Sequence, residues 1–260
     1  MPMNEPSSAE KRYDELWRDL WANTHAGGPM ARSRYRHAVS WLRLNTQRSE
    51  RLLDVGAGNG AFMLEALRNA PALDIYGAEF SQAAIDLAHP RLLERLARCD
   101  LQGSSPLPWG GNFQLITCME VLEHLPDDEL ALQHISGALA PSGLLFVSVP
   151  AWQSRWSPSD VTAGHVRRYE PPQLRERLQK AGLRVIRMRC WGGPFSWIYT
   201  GAVNLMGPER VMSVRPTGGA GLAAAAIFHI LKLDDLLSFG TGSQLLALAQ
   251  KDGDRPQVSA

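Results

Sequence analysis

Residues 51–60 read Arg-Leu-Leu-Asp-Val-Gly-Ala-Gly-Asn-Gly, and this decapeptide constrains the fold more than any other stretch. The short apolar run ending at Asp54 and Val55 reads as a buried strand. Gly56, Gly58 and Gly60 then alternate, and a helical pattern follows. A strand, a tight glycine turn and a helix N-terminus in that order begin a parallel α/β sheet. Glycine has no Cβ, so the backbone of such a turn can touch a nucleotide-like ligand directly.

The alternation continues down the chain. The patterns predict strands at 51–55, 73–79, 95–99, 113–119, 144–149, 183–190 and 243–250. Helices are expected at 59–69 and 81–93, with Ser81 as N-cap. A third runs from Asp127–Asp128 to before Pro141, and a fourth from Pro171–Pro172 to Gly182. Ahead of them, Lys11–Leu44 is rich in helix formers, and Tyr13, Leu16, Trp17, Leu20 and Trp21 are spaced as one apolar face. Residues 191–240 form a long connection rich in Gly, Pro, Trp and Ala, of a length that is usually functional or separately structured.

Two ligands compete for the glycine turn. Gly56, Gly58 and Ala61 fit the dinucleotide pattern G-x-G-x-x-G/A, with Glu79 near the expected ribose carboxylate. Asp54 separates the two readings. A pyrophosphate beside that carboxylate is repelled, whereas the sulfonium and ammonium groups of S-adenosylmethionine are attracted.

The segment Leu-Leu-Asp-Val-Gly-Ala-Gly-Asn-Gly resembles motif I of class I S-adenosylmethionine-dependent methyltransferases. Tyr-Gly-Ala-Glu-Phe-Ser at 76–81, the run from Phe113 to Asp127 and Leu-Ala-Pro-Ser-Gly-Leu-Leu-Phe-Val-Ser-Val-Pro at 139–150 follow in the matching order. Within the second, Glu-Val-Leu-Glu-His is similar to the ubiquinone-biosynthesis type of small-molecule methyltransferase. The resemblance implies an α/β, Rossmann-like seven-stranded sheet, mostly parallel with one antiparallel strand. It also implies helices on both faces, an N-terminal helical cap and an insertion before the last strand. The corresponding divisions are a cap at 1–50, an adenosylmethionine-binding core at 51–190, a lid-like insertion at 191–240, and the last strand with the tail at 241–260.

The same resemblance assigns residues. Asp54, Gly56, Gly58 and Gly60 would hold the methionine end of the cofactor, and Glu79 with Phe80 its ribose. Asp100 and Leu101 would meet adenine, and Met119 and Glu120 would line the methionine side. His124 and, above all, His165 are the candidate catalytic bases. Trp152, Arg167, Arg168, Tyr169 and Trp197 are the expected acceptor contacts. The seven histidines show no close helical or CxxC-type ligand spacing, so no metal site is expected.

A formal net charge of +1 leaves no global electrostatic case for nucleic acid. Cys99, Cys118 and Cys190 sit in or beside apolar strand-like runs and read as reduced, buried thiols. The polar start of the chain lacks an apolar signal region, and no stretch reaches the length of a transmembrane span. The expectation is a cytoplasmic enzyme that methylates a small-molecule acceptor at O, N or C by in-line displacement. A peripheral membrane contact of Ala220–Leu237 stays open beside packing on the domain or on a second subunit. So do a non-catalytic cofactor-binding or assembly protein of the same fold and, less well supported, an NAD-dependent oxidoreductase. The oligomeric state and the acceptor are not legible.

Overall fold

The computed structural model describes residues 8–22, 27–104, 107–215, 217–237 and 240–253. Five strands run parallel to their neighbours: β1 (Arg51–Val55), β2 (Asp74–Glu79), β3 (Leu96–Arg98), β4 (Phe113–Met119) and β5 (Leu139–Pro150). β6 (Leu183–Trp191) and β5 both pair antiparallel with β7 (Gln244–Lys251), so β7 is the one reversed strand. The sheet order is β3-β2-β1-β4-β5-β7-β6. The chain direction across the sheet reverses between β1 and β4, the switch point at which such sheets open a crevice at their carboxyl ends.

Alternation along the strands builds two cores. Leu53, Val55, Ile116, Cys118, Leu145 and Val147 face the side covered by α5 (Asp128–Ala138) and α7 (Pro171–Lys180). Leu52, Leu115, Phe146 and Leu246 face the other side, against α2 (Pro29–Trp41) and α3 (Ala61–Asn69). The period of two sends successive side chains to opposite faces, and both faces are covered, so the central strands read as continuous apolar runs.

Ahead of the sheet, α1 (Ser8–Leu16) continues into a π-helical turn at Trp17–Trp21. Helix therefore begins inside the polar start of the chain, and residues 1–7 lie outside the described set. Trp17, Trp21 and Tyr13 pack on α4 (Gln82–Asp86), and Asp14 accepts hydrogen bonds from Ser81 Oγ at 2.5 Å and Ala83 N at 3.2 Å. The helix expected at 81–93 stops at Asp86, although Ser81 is its N-cap as predicted. Pro90 disfavours helical geometry at His89 and opens a separate 3₁₀ turn, Pro90–Arg95.

Two connections carry helices, one of them in the segment expected to be functional or separately structured. A short helix, α6 (Pro158–Ala163), follows β5 and is capped by a Ser157–Asp160 box. The connection from β6 to β7 is helical: α8 (Pro194–Met206), α9 (Pro208–Met212) and α10 (Gly218–Leu231). Asp234 is buried behind them, accepting from the N–H groups of Phe195 and Ser196 and from Ser196 Oγ, which ties the start of α8 down.

Candidate active site

The glycine turn sits at the carboxyl end of β1. Gly56, Gly58 and Gly60 have φ of 73°, 56° and 76°, a left-handed conformation that side chains with a Cβ avoid. Each glycine also makes room for a neighbour. A Cβ on Gly56 would strike Val121, on Gly58 the ring of Trp17, and on Gly60 the side chain of Leu92. Gly56 lines the cleft above the turn. Gly58 and Gly60 do not line it; they serve to let Trp17 and Leu92 pack against the backbone.

Two buried carboxylates brace this turn. Glu79, at the end of β2, accepts from Gly58 N at 2.8 Å and Ser81 N at 2.9 Å. It faces the cleft beside Phe80, Asp100 and Leu101. Burial pushes its carboxyl above the usual range, against the lowering effect of those backbone N–H donors. Asp54 lies beneath the turn and outside the wall of the cleft. It accepts from Thr117 Oγ1 at 2.6 Å across the β1–β4 pair. Burial raises the Asp54 carboxyl to about 7; the Thr117 hydrogen bond works against this and the charge of Glu79 adds to it.

Met119 and Glu120 complete this end, at the tip of β4. Glu120 holds φ at 55°, a strained backbone for a non-glycine residue and one that clusters at functional sites. Its carboxylate accepts from Ser148 Oγ at 3.0 Å, and Arg34 of α2 reaches to 3.6 Å from it. The carboxylate of Glu79, the side-chain-free turn at Gly56 and the apolar side chain of Leu101 line one end of the cleft.

The second end of the cleft is built on the segment after β5. Asp160, almost fully buried, receives five hydrogen bonds. Ser157 N and Oγ donate to Oδ2 at 2.8 and 2.9 Å. Arg168 binds both oxygens, Nε to Oδ1 at 2.8 Å and Nη2 to Oδ2 at 2.7 Å. The fifth contact is His165 Nδ1 to Oδ1 at 2.8 Å. Burial opposes ionisation of Asp160, but the hydrogen bonds from His165 and Arg168 outweigh it and hold the carboxyl well below its ordinary value. An ionised Asp160 makes Nδ1 the protonated nitrogen of His165, leaving Nε2 as the acceptor. The His165 ring lies 4.7 Å from that of His124, which in turn meets Tyr13 and Trp21 edge-on.

Of the expected acceptor contacts, Arg168 and Trp197 line the cleft, and Arg155 stacks over the Trp197 ring at 4.4 Å. Arg167, Tyr169 and Trp152 do not, which corrects the expectation. Tyr169 is fully buried and donates to Asp128 Oδ2 at 2.7 Å. Arg167 turns the same way, to Asp128 at 3.2 Å and the carbonyl of Pro126 at 2.8 Å. The reason is parity. Residues 167–169 are extended, bridged to Ala151 through Tyr169, so the neighbours of Arg168 point away from the cleft. Trp152 donates Nε1 to the carbonyl of Gly242 and packs on the core.

Sequence spacing shows no metal-ligand set, yet the fold brings three ligand-type side chains together. Ligand atoms of Glu123, His124 and His165 lie within 4.8 Å of one another, because the fold sets the loop after β4 against the loop after α6. One carboxyl oxygen and two imidazole nitrogens could hold a divalent ion of the zinc type. Glu123 is fully buried, its oxygens have no hydrogen-bond partner among the described residues, and burial raises its carboxyl well above the usual range. Glu123, Arg34 and Asp160 were not among the sequence candidates. The Ser157-Pro158-Ser159-Asp160 capping pattern was the available signal for Asp160; the other two carry none.

The two ends belong to one cavity of about 1110 Å³, lined on its apolar side by Trp197, Val203, Val211 and Ile227 of the insertion. Pockets for single drug-sized ligands run to roughly 1000 Å³, so the space exceeds what one such ligand needs.

A doubly wound sheet with this glycine turn, a carboxylate at the end of β2 and a strand-tip loop after β4 is the arrangement of class I S-adenosylmethionine-dependent methyltransferases. The profile of the family described as "Methyltransferase domain" matches residues 30–188, more than half of the sequence. The chain belongs to that family. It is similar to the ubiquinone biosynthesis O-methyltransferase of Aromatoleum aromaticum, 27% identical over 158 residues, covering 57% of this chain and 64% of that protein. With the enzyme of the same name from Coxiella burnetii it shares 29% over 146 residues, covering 53% and 59%. The chain thus spans about three-fifths of the length of these relatives. Among solved structures, the cyclase SpnF superposes with a TM-score of 0.63 at 20% identity, covering 97% of this chain and 100% of that one. Phosphoethanolamine N-methyltransferase 2 of Haemonchus contortus, solved with S-adenosyl-L-methionine, gives 0.58 at 16% identity, covering 97% and 61%. Both structural likenesses are of fold.

Proposed function

We propose that the protein methylates an oxygen of a small, largely apolar acceptor, with His165 as the general base. One observation carries this reading. His165 is fixed by Asp160 at Nδ1, meets the ring of His124 and lines the one cavity shared by the motif residues and the apolar insertion. The insertion side is reached through α6, where Ser159 donates to Asn204 of α8 at 2.5 Å. The O-methyltransferase names of the curated relatives support oxygen as the acceptor atom.

When bound, S-adenosylmethionine supplies an activated methyl group and departs as the neutral thioether. The chain's own part is orientation and proton removal. Gly56, Glu79, Asp100, Leu101 and Met119 would hold the cofactor. Nε2 of His165 would take the proton as the acceptor oxygen bonds to the methyl carbon, and Asp160 would hold the imidazolium in place. Trp197 and the insertion would close over the acceptor as a lid and exclude water. With three free cysteines and no helix among the described residues long and apolar enough to cross a membrane, a cytoplasmic site of action fits this reading.

Calorimetry with S-adenosylmethionine and with NAD, followed by tritiated-methyl transfer to a panel of phenols and catechols, tests the proposal. Binding of NAD without adenosylmethionine defeats it. Adenosylmethionine binding with no transfer to any acceptor favours a non-catalytic cofactor-binding protein, and the likeness to a cyclase shows that this fold carries other chemistry.

A further inference from the structure

The family profile ends at residue 188, so α8, α9 and α10 are an addition that the family match does not explain. α10 is apolar nearly all round, with His229 its single titratable residue. A helix of that kind belongs in a core or against lipid. Its cover is incomplete. Phe228 and Leu231 are buried toward α2, where the guanidinium of Arg32 lies 4.3 Å above the Phe228 ring. The opposite stripe, Leu222, Ala226 and Ile230, continuing to Leu233, faces outward.

The rest of the insertion repeats this. Leu205 is 91% exposed, Leu222 76% and Leu236 82%. Of the fifteen large hydrophobic side chains exposed among the described residues, nine fall between residues 194 and 237. Concentration of this order marks a contact surface. The cavity opens through it: Met206, Val214, Ala220 and Ala223 are exposed and also line the cavity.

Charge identifies the occupant. Arg210, Arg215 and Lys232 are exposed on this segment against Glu209 alone, while Asp234 is buried and Asp235 is paired with Arg36 at 2.7 Å. A second copy related by a two-fold axis would bring the basic groups face to face. An anionic lipid surface accepts both the leucines and the cations. α10 has 14 residues, about 21 Å at 1.5 Å per residue, short of the roughly 30 Å of a bilayer core. It can lie on a membrane and not span one.

We propose that α8–α10 form a docking face for an anionic bilayer, with the mouth of the cavity turned toward the lipid, so that ligands reach the cavity from the membrane side. The inference does not depend on the transfer chemistry, and its test needs no acceptor and no methyl transfer.

The full chain is floated with vesicles of phosphatidylcholine and with vesicles of three parts phosphatidylcholine to one of phosphatidylglycerol. The expected result is about thirtyfold stronger partition onto the anionic vesicles, from two net basic groups, weakening as salt is raised. The triple variant Leu205→Glu, Leu222→Glu, Leu236→Glu is expected to lose about tenfold or more of that partition, while its circular dichroism and adenosylmethionine binding match the parent. No partition onto either vesicle overturns the proposal, as does partition that the triple variant leaves unchanged. A stable dimer in sedimentation that the triple variant converts to monomer assigns the face to a second copy instead.

Discussion

The two ends of the cavity both rest on buried carboxylates, yet the carboxylates are held in opposite ways. Asp54 and Glu79 receive only neutral donors, a threonine hydroxyl and backbone N–H groups, and burial raises both. Asp160 receives a guanidinium and an imidazole, and those contacts lower it despite burial. The first arrangement places no cation beside either carboxyl, so a cationic ligand would favour their ionised forms. The second is already neutralised by its own partners and suits a fixed positioning role. One end therefore awaits charge from its ligand; the other spends its charge inside the protein.

The largest expected effect separates the ends by kinetics. His165→Ala should lower turnover about 10²- to 10⁴-fold and leave the adenosylmethionine Kd, read by calorimetry, nearly unchanged. A comparable loss of cofactor affinity would show that the two ends are not independent. Glu79→Ala should do the converse. It removes the acceptor of two buried N–H groups, so affinity should fall roughly 30- to 100-fold, and chemical denaturation should show a loss of about 1–3 kcal/mol.

Asp160→Asn comes next. It keeps the shape but removes the charge facing Arg168, so turnover should drop about tenfold with KM little changed. Nitrogen NMR of the His165 ring should shift from a single Nδ1–H tautomer toward a mixture, and Asp160→Glu should recover part of both signals. A purely structural role for Asp160 would alter stability and leave the tautomer as it was.

The smallest effect concerns pH. The folded protein holds the Asp54 proton until about pH 7, whereas the unfolded chain releases it near the ordinary aspartate value of 3.8. The folded state thus binds more protons across that window, and this group's contribution to stability declines as pH rises through it. Asp54→Asn removes the slope. Thermal melts of the cofactor-free protein should show the variant gaining roughly 1–2 kcal/mol on the parent between pH 5 and 8. Cofactor affinity should rise with pH in the parent over the same range, because a cationic ligand favours ionised Asp54, and stay flatter in the variant. Parallel curves for the two proteins would remove Asp54 from the role.

Much of the cofactor end was legible because its signals are local. The glycines of 56–60 report a backbone conformation that only they adopt freely, and strand periodicity reports two covered faces. Glu79 and Met119 follow from where their strands end. The end built on Asp160 and His165 was legible only in part. His165 and Arg168 stood out by residue type, but Arg167 and Tyr169 looked the same in sequence. Their side is set by the register of an extended segment against Ala151, a contact made with a distant strand. The Glu123–His124–His165 cluster likewise joins loops some forty residues apart, and no spacing rule predicts it.

By itself, the sequence determined the order of the seven strands, the glycine turn and the carboxylates placed at strand ends, since these depend on backbone propensity and short-range periodicity. Tertiary structure alone decided which side chains share the cavity, which buried acids are ionised and how far the insertion leaves its leucines uncovered. Those properties depend on desolvation and on partners from distant segments, and neither exists until the chain has packed.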